Sequence, residues 1–282
     1  MNSITFAVAA VLAPPPAAAQ FTSGVNVVEV YAAVVDRDGT PVTGLPREAF
    51  TVLEDGQPQS VTTFAEGDFP LSVAIAIDRS FSMKGAELAN ARAGAEAFLS
   101  ELRPQDQAMV IAIGSEVETL APLSGDRRSQ QQAIDGLQPW GTTELHDAVI
   151  LSLDAIQSAQ GRRALLLLSD GTDRYSTATA PQALERARHS DVMVYPVALG
   201  SMRPPLFAEL AALTGGRSFF PRTEQQVTGS TRAVANELRH QYLLGYTPGR
   251  APARGEEQWR SITVRVDRPG VTVRARDGYF VK

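Results

Sequence analysis

Leu71-Ser-Val-Ala-Ile-Ala-Ile-Asp78-Arg-Ser80-Phe-Ser82-Met83 decides the reading of this chain. The stretch starts as a short apolar run with β-branched residues, which reads as a buried strand. It ends in Asp-x-Ser-x-Ser, three oxygen-bearing side chains at alternate positions. A core has no use for hydroxyls, and a plain loop does not need them at that spacing. A hard cation does, because Mg²⁺ takes an octahedron of oxygen ligands at about 2.0–2.1 Å. Taken alone, the pattern is also met by a helix N-cap in a serine-rich turn.

Two stretches downstream complete the pattern. One is Gly141-Thr-Thr143-Glu-Leu-His146-Asp147-Ala148. The other is Leu165-Leu-Leu-Leu-Ser169-Asp170-Gly171-Thr-Asp173, a second apolar strand ending in a carboxylate. Together the three resemble the von Willebrand factor type A domain family, over roughly 70–238. That resemblance implies a metal-ion-dependent adhesion site with Asp78, Ser80, Ser82, Thr143 and Asp170 as ligands. It implies direct ligation by the hydroxyls and action through water by one or both Asp. It further implies Mg²⁺, with Mn²⁺ or Ca²⁺ as alternatives, and a partner protein offering an Asp or Glu carboxylate. Phe81 departs from the family pattern, which usually has Gly there.

Two other readings compete. A metal with an open position can activate water, which would make the chain a metal-dependent hydrolase. A general base is then required, and His146 is the histidine near Thr143; its blander role is an exposed residue at a helix start. Neither Gly-x-Ser-x-Gly nor a Walker-type loop occurs, so the expectation is a non-enzyme. The third reading is a metal-free scaffold, with Arg79 setting a positive charge where the cation would sit. Nearby, Asp147 and Asp173 read as capping or loop-bracing groups, and Trp140 as a packing residue or, alternatively, an aromatic exposed to a partner.

The totals narrow the field. The chain has 282 residues, 44% hydrophobic and 20% charged, as in ordinary globular proteins. A net charge of −5 argues against a general nucleic-acid surface. With no Cys, disulfides, thiolate metal sites and cysteine nucleophiles are excluded. Ile4 to Leu12 followed by Ala17-Ala-Ala reads as an export signal over 1–20, without a basic start. That run is too short to span a membrane. The expected location is periplasmic, cell-surface or extracellular.

The middle, 70–240, alternates strand and helix, the mark of a doubly wound α/β sheet. Segment 21–69 reads as strands but is too small for its own core. Segment 241–282 supplies alternating runs, Ile262-x-Val264-x-Val266 and Val271-x-Val273-x-Ala275. The expectation is that the two ends pair into a small β-sandwich; the alternative is that the C-terminal strands extend the middle sheet. Arg260, Arg265, Arg268, Arg274 and Arg276 read as a solvated face of these strands. The whole chain is similar to secreted bacterial proteins of the VWFA-related type, through Ser23-Gly-Val-Asn-Val-Val, Leu53-Glu-Asp-Gly and Arg276-Asp-Gly-Tyr279.

Overall fold

All eight residues of Leu71–Asp78 are buried, on both faces of the strand. That explains why the run is continuously apolar rather than alternating: parallel neighbours flank it and helices cover both sides. The computed structural model describes residues 27–67, 69–249 and 257–281. The expected leader over 1–20 lies outside them.

In chain order the strands are β1 (Val28–Val35), β2 (Phe50–Glu54), β3 (Gln57–Gln59), β4 (Val61–Glu66), β5 (Leu71–Asp78), β6 (Gln107–Ile113) and β7 (Val117–Ser124). They continue with β8 (Arg162–Ser169), β9 (Met193–Ala198), β10 (Tyr242–Tyr246), β11 (Gln258–Val266), β12 (Thr272–Arg274) and β13 (Gly278–Val281). The helices are α1 (Ala86–Ser100), α2 (Arg127–Asp135), α3 (Leu145–Ile156), α4 (Ala180–Arg188), α5 (Pro205–Thr214) and α6 (Glu224–Arg239).

Five strands form the central sheet in the order β7-β6-β5-β8-β9. All neighbours are parallel except β7, which runs antiparallel at one edge. Helices α1, α2 and α6 pack on one face, through Leu88, Phe98, Ile134, Val234 and Leu238 against Val73, Ile75 and Ile77. Helices α3, α4 and α5 cover the other, through Val149, Leu153, Ala183, Phe207 and Leu210 against Ala74 and Ala76. Each fully buried Leu, Ile or Phe contributes roughly 1.5–3 kcal/mol. The chain crosses one way from β5 to β6 and returns to β8 on the other side of β5. The carboxyl ends of β5 and β8 therefore border the crevice at the reversal of strand order, the usual seat of a ligand in such sheets.

Strands from the two ends of the chain form two antiparallel sheets, β12-β1-β10-β4 and β13-β11-β2-β3. Their inner faces share a core of Val30, Ala32, Phe50, Val52, Tyr242, Leu244 and Ile262. The C-terminal strands join these sheets and not the central one. The short strands β3 and β13, of 3 and 4 residues, offer too little alternation to be read from sequence. Beside β9, Phe219 forms an isolated parallel bridge to Val197.

The expected solvated arginine face needs correction. Arg265 and Arg268 are exposed, but Arg260 is 1% exposed and hydrogen-bonded to Glu54 at 2.8 Å. Arg274 is half-buried and ion-paired to Glu237 of α6. Alternation identifies the face a residue occupies. It does not reveal that another layer packs on that face with a carboxylate in place.

Candidate functional site at the sheet crest

Asp78 closes β5 and is 0% exposed. Its Oδ1 accepts the Ser80 N–H at 2.9 Å, and its Oδ2 accepts the Ser169 hydroxyl at 2.7 Å. Burial, first of all, pushes the Asp78 carboxyl above its ordinary range; these hydrogen bonds pull it down and the Asp170 charge pushes it up again. No cationic side chain is among the causes. Among the described residues no ion pair joins Asp78, so a buried carboxylate stands close to a second one, an arrangement that costs free energy unless a cation or a proton joins it.

Beyond Asp78 the loop makes a short 3-10 turn, Phe81–Met83, with Met83 buried as its anchor. Ser80 is buried and Ser82 exposed, yet their Oγ atoms lie 3.0 Å apart. Adjacent oxygens of an octahedron with bonds near 2.1 Å are separated by about 3.0 Å. The Phe81 N–H donates to the Gly141 carbonyl at 3.0 Å, and the Trp140 N–H to the Arg79 carbonyl at 2.7 Å. Gly141 has φ +75°, and a Cβ there would lie 2.5 Å from Ser115 Oγ, so only glycine fits this contact. The serine loop and the threonine loop are thereby stitched together.

Thr143 is buried, and its carbonyl accepts the N–H groups of Arg174 and Tyr175 at 3.0 and 3.3 Å. Those residues follow Asp170, whose carboxylate accepts the Thr172 N–H at 2.8 Å. Asp78, Ser80, Ser82, Thr143 and Asp170 thus stand on three loops joined by hydrogen bonds above the β5–β8 crevice. Two carboxylates and three neutral hydroxyls are a hard-oxygen donor set that fits Mg²⁺ better than a larger ion. Among the described residues, no three His, Cys, Asp or Glu side chains are grouped to hold a metal, so a cation held here would depend on the hydroxyls.

The neighbours fall into place around it. Arg79 turns away from the crevice to an ion pair with Glu118 and lies over the Trp140 ring, 5.0 Å from its centroid. Its charge is therefore paired with Glu118. Phe81 is 64% exposed and has no positive φ, so its backbone does not require the glycine usual there. Trp140 caps Gly114 at the end of β6 but remains partly exposed. Asp147 accepts the Thr177 and Ala178 N–H groups at 2.7 and 2.9 Å, and Asp173 accepts the His146 N–H at 3.2 Å. Both brace the loop after β8. His146 is half-buried rather than exposed, with Nδ1 at 3.1 Å from the Ala178 carbonyl.

Two residues of the site were given no role from sequence. Ser169 holds Asp78 and also accepts the Gly171 N–H at 3.0 Å, so it orients both strand ends. The available signal was its place immediately before Asp170 at the end of a buried strand. Glu144 has its carboxyl pushed up by burial and then by Asp147, Glu116 and Asp173, which shows how acidic this crest is.

Residues 73–172 match the family model described as the von Willebrand factor type A domain. Among curated proteins, the chain is similar to inter-alpha-trypsin inhibitor heavy chain H4 of Bos taurus, 28% identical over 127 residues, 40% of this chain and 13% of that one. The Homo sapiens protein of that name is 27% identical over the same length. This chain thus spans about an eighth of these relatives, from their 13% coverage. Among solved structures, a von Willebrand factor type A protein from Catenulispora acidiphila superposes with TM-score 0.53 at 13% identity, covering 92% of this chain and 75% of that one. The vWF domain of the type V pili tip protein Mfa5 from Porphyromonas gingivalis gives 0.51 at 13% identity, covering 61% and 95%. These likenesses are of fold.

Proposed function

The middle of this chain is a von Willebrand factor type A domain, and from that premise we propose that the protein is an exported binding module. In this reading it captures an acidic group of a partner protein through a divalent cation at the crest. Asp78 and Asp170 supply the negative charge, and Ser80, Ser82 and Thr143 supply neutral oxygens. Because the hydroxyls add no charge, a bound Mg²⁺ (or Mn²⁺ or Ca²⁺) stays electrophilic and offers an open position to a carboxylate. Ser169 fixes the orientation of Asp78, and the bonds among the three loops hold the donors in place before any partner arrives.

One observation carries the reading: Asp78 is wholly buried, its carboxyl is raised by burial and by Asp170, and the nearby arginine is paired elsewhere. A scaffold with no cation would gain nothing from that arrangement. A non-enzymatic role is supported by His146, whose Nδ1 is engaged with Ala178 in bracing a loop. Export is supported by the apolar run Ile4 to Leu12 and the small residues Ala17-Ala-Ala. Among the described residues no helix is long and apolar enough to cross a membrane.

The test is thermal unfolding of the chain in EDTA and in millimolar Mg²⁺, beside Asp78→Ala. A ligand at about 100 times its dissociation constant stabilises by about 2.7 kcal/mol. The wild type should gain midpoint temperature with Mg²⁺ and the variant should not. Equal midpoints in EDTA, Mg²⁺, Mn²⁺ and Ca²⁺ would return the chain to the scaffold reading.

A further inference from the structure

Among the described residues, the three most exposed large apolar side chains are Met202 at 72%, Tyr175 at 65% and Phe81 at 64%. All three stand on loops around the same crevice. Phe81 lies between Ser80 and Ser82. Tyr175 follows Asp170, and its N–H is bonded to the Thr143 carbonyl. Met202 belongs to the loop after β9, which packs against the end of β8. There a Cβ on Gly171 would lie 1.9 Å from Pro204, and the Leu199 N–H donates to the Ser169 carbonyl at 2.9 Å. Trp140 adds a fourth, partly exposed ring beside Gly141. Large apolar side chains exposed on the loops that border one crevice mark a surface suited to be covered.

Charge decides what covers it. The carboxylates of Glu116, Asp147 and Asp173 stand close enough to Glu144 to act on it. An acidic tract would be repelled by them, whereas a single carboxylate aimed at the crevice would not meet them as a group. We propose that the crest seats a partner-protein segment in which one Asp or Glu is flanked by bulky apolar, chiefly aromatic, side chains. Its carboxylate enters the crevice while the flanking groups pack on Phe81, Tyr175 and Met202. This rests on the cation-bridging reading above. The apolar collar excludes water from the polar contact at its centre, where a charged interaction is then stronger. Met202 suits the role because its flexible thioether adapts to different partners.

Three end-blocked synthetic peptides test this, each with one central Asp flanked by Phe and Leu, by Ser and Gly, or by Glu. A fourth replaces the central Asp of the first by Asn. Binding in Mg²⁺ is measured by calorimetry to the full chain, to Phe81→Ser/Tyr175→Ser, and to Asp78→Ala. The aromatic peptide should bind at least about tenfold tighter than the other three. The double substitution should erase the preference over the Ser/Gly and Glu peptides while keeping the Mg²⁺ shift in midpoint temperature. Asp78→Ala should erase both. Equal binding of the first three peptides, or a preference for the apolar flanks that survives the double substitution, overturns the collar and, where the Mg²⁺ shift in midpoint temperature persists, leaves the cation reading standing. Aromatic-peptide binding that is unchanged in EDTA and by Asn, with no Mg²⁺ shift, removes the cation reading and the carboxylate partner together. Self-association abolished by Phe81→Ser/Tyr175→Ser assigns the collar to a second copy of this chain and also overturns the proposal.

Discussion

The Tyr279 hydroxyl donates to Glu54 Oε2 at 2.8 Å, joining residues 225 positions apart. Tyr246 donates to the same oxygen at 2.7 Å, and Arg260 holds the other at 2.8 Å. One carboxylate thus ties strands from the beginning, middle and end of the chain across the two antiparallel sheets. Glu54→Ala leaves the Arg260 guanidinium buried without this partner and strands two hydroxyls. It should cost about 3–5 kcal/mol in urea unfolding, against about 1 kcal/mol for Tyr279→Phe. Similar losses in the two variants would show that the carboxylate is not the hub.

The same cluster sets an alkaline limit. Burial first, then Glu54, pushes the Tyr279 phenol up to about 12, and the same causes push Tyr246 up further. The fold therefore favours the neutral phenols. Their contribution is whole below about pH 10, the value of an unfolded tyrosine, and is lost as pH rises through about 12. Phenolate absorbance from these two residues should appear only as the far-UV signal collapses. Development of both phenolates near pH 10 with the fold intact contradicts this.

At the crest, stability and binding should oppose each other. Asp78→Asn removes the buried charge and keeps an acceptor for the Ser80 N–H. In EDTA the variant should be more stable than wild type by about 1 kcal/mol, and it should lose the response to Mg²⁺. A variant less stable in EDTA would mean that the carboxylate is satisfied without a cation.

Ser169→Ala tests support rather than ligation. Losing the bond to Asp78 Oδ2 should weaken Mg²⁺ binding by about 10–100-fold, read as a higher concentration for half the thermal shift. Unaltered affinity would make Ser169 a bystander.

Phe81→Gly addresses the departure from the family pattern. The side chain is exposed and its φ is negative, so stability should stay within about 0.5–1 kcal/mol, with Mg²⁺ response retained. Loss of that response would show that Phe81 sets the loop geometry.

Much of this could be read in the chain because β5 and β8 are buried on both faces. Their apolar runs announce themselves, and the polar residues that end them stand out. Helix α3, Leu145–Ile156, is equally legible, because Leu145, Ala148, Val149, Ser152, Leu153 and Ile156 are buried at helical spacing. What escaped reading depends on direction and layering. Arg79 is long enough to face either the crevice or Glu118, and spacing cannot choose between them. Arg260 and Arg274 alternate like surface residues, but their carboxylate partners come from 206 and 37 positions away. Ser169 looks like the last residue of a strand until Asp78 is seen beside it.

Strands β4 and β10 are hydrogen-bonded neighbours, and the α/β unit is spliced between them. Both leave the antiparallel sheets at the same end, since Glu66 lies opposite Tyr242. Under tension, a partner pulling at the crest draws the two strands in the same direction instead of sliding one past the other. On its other side β10 is bonded to β1, from Val28 opposite Tyr246 to Ala32 opposite Tyr242. If the protein is held by the chain preceding Val28, β1 is drawn the opposite way. The rungs between them are then loaded in shear, all at once, and the attachment resists force as a lap joint does rather than opening like a zipper.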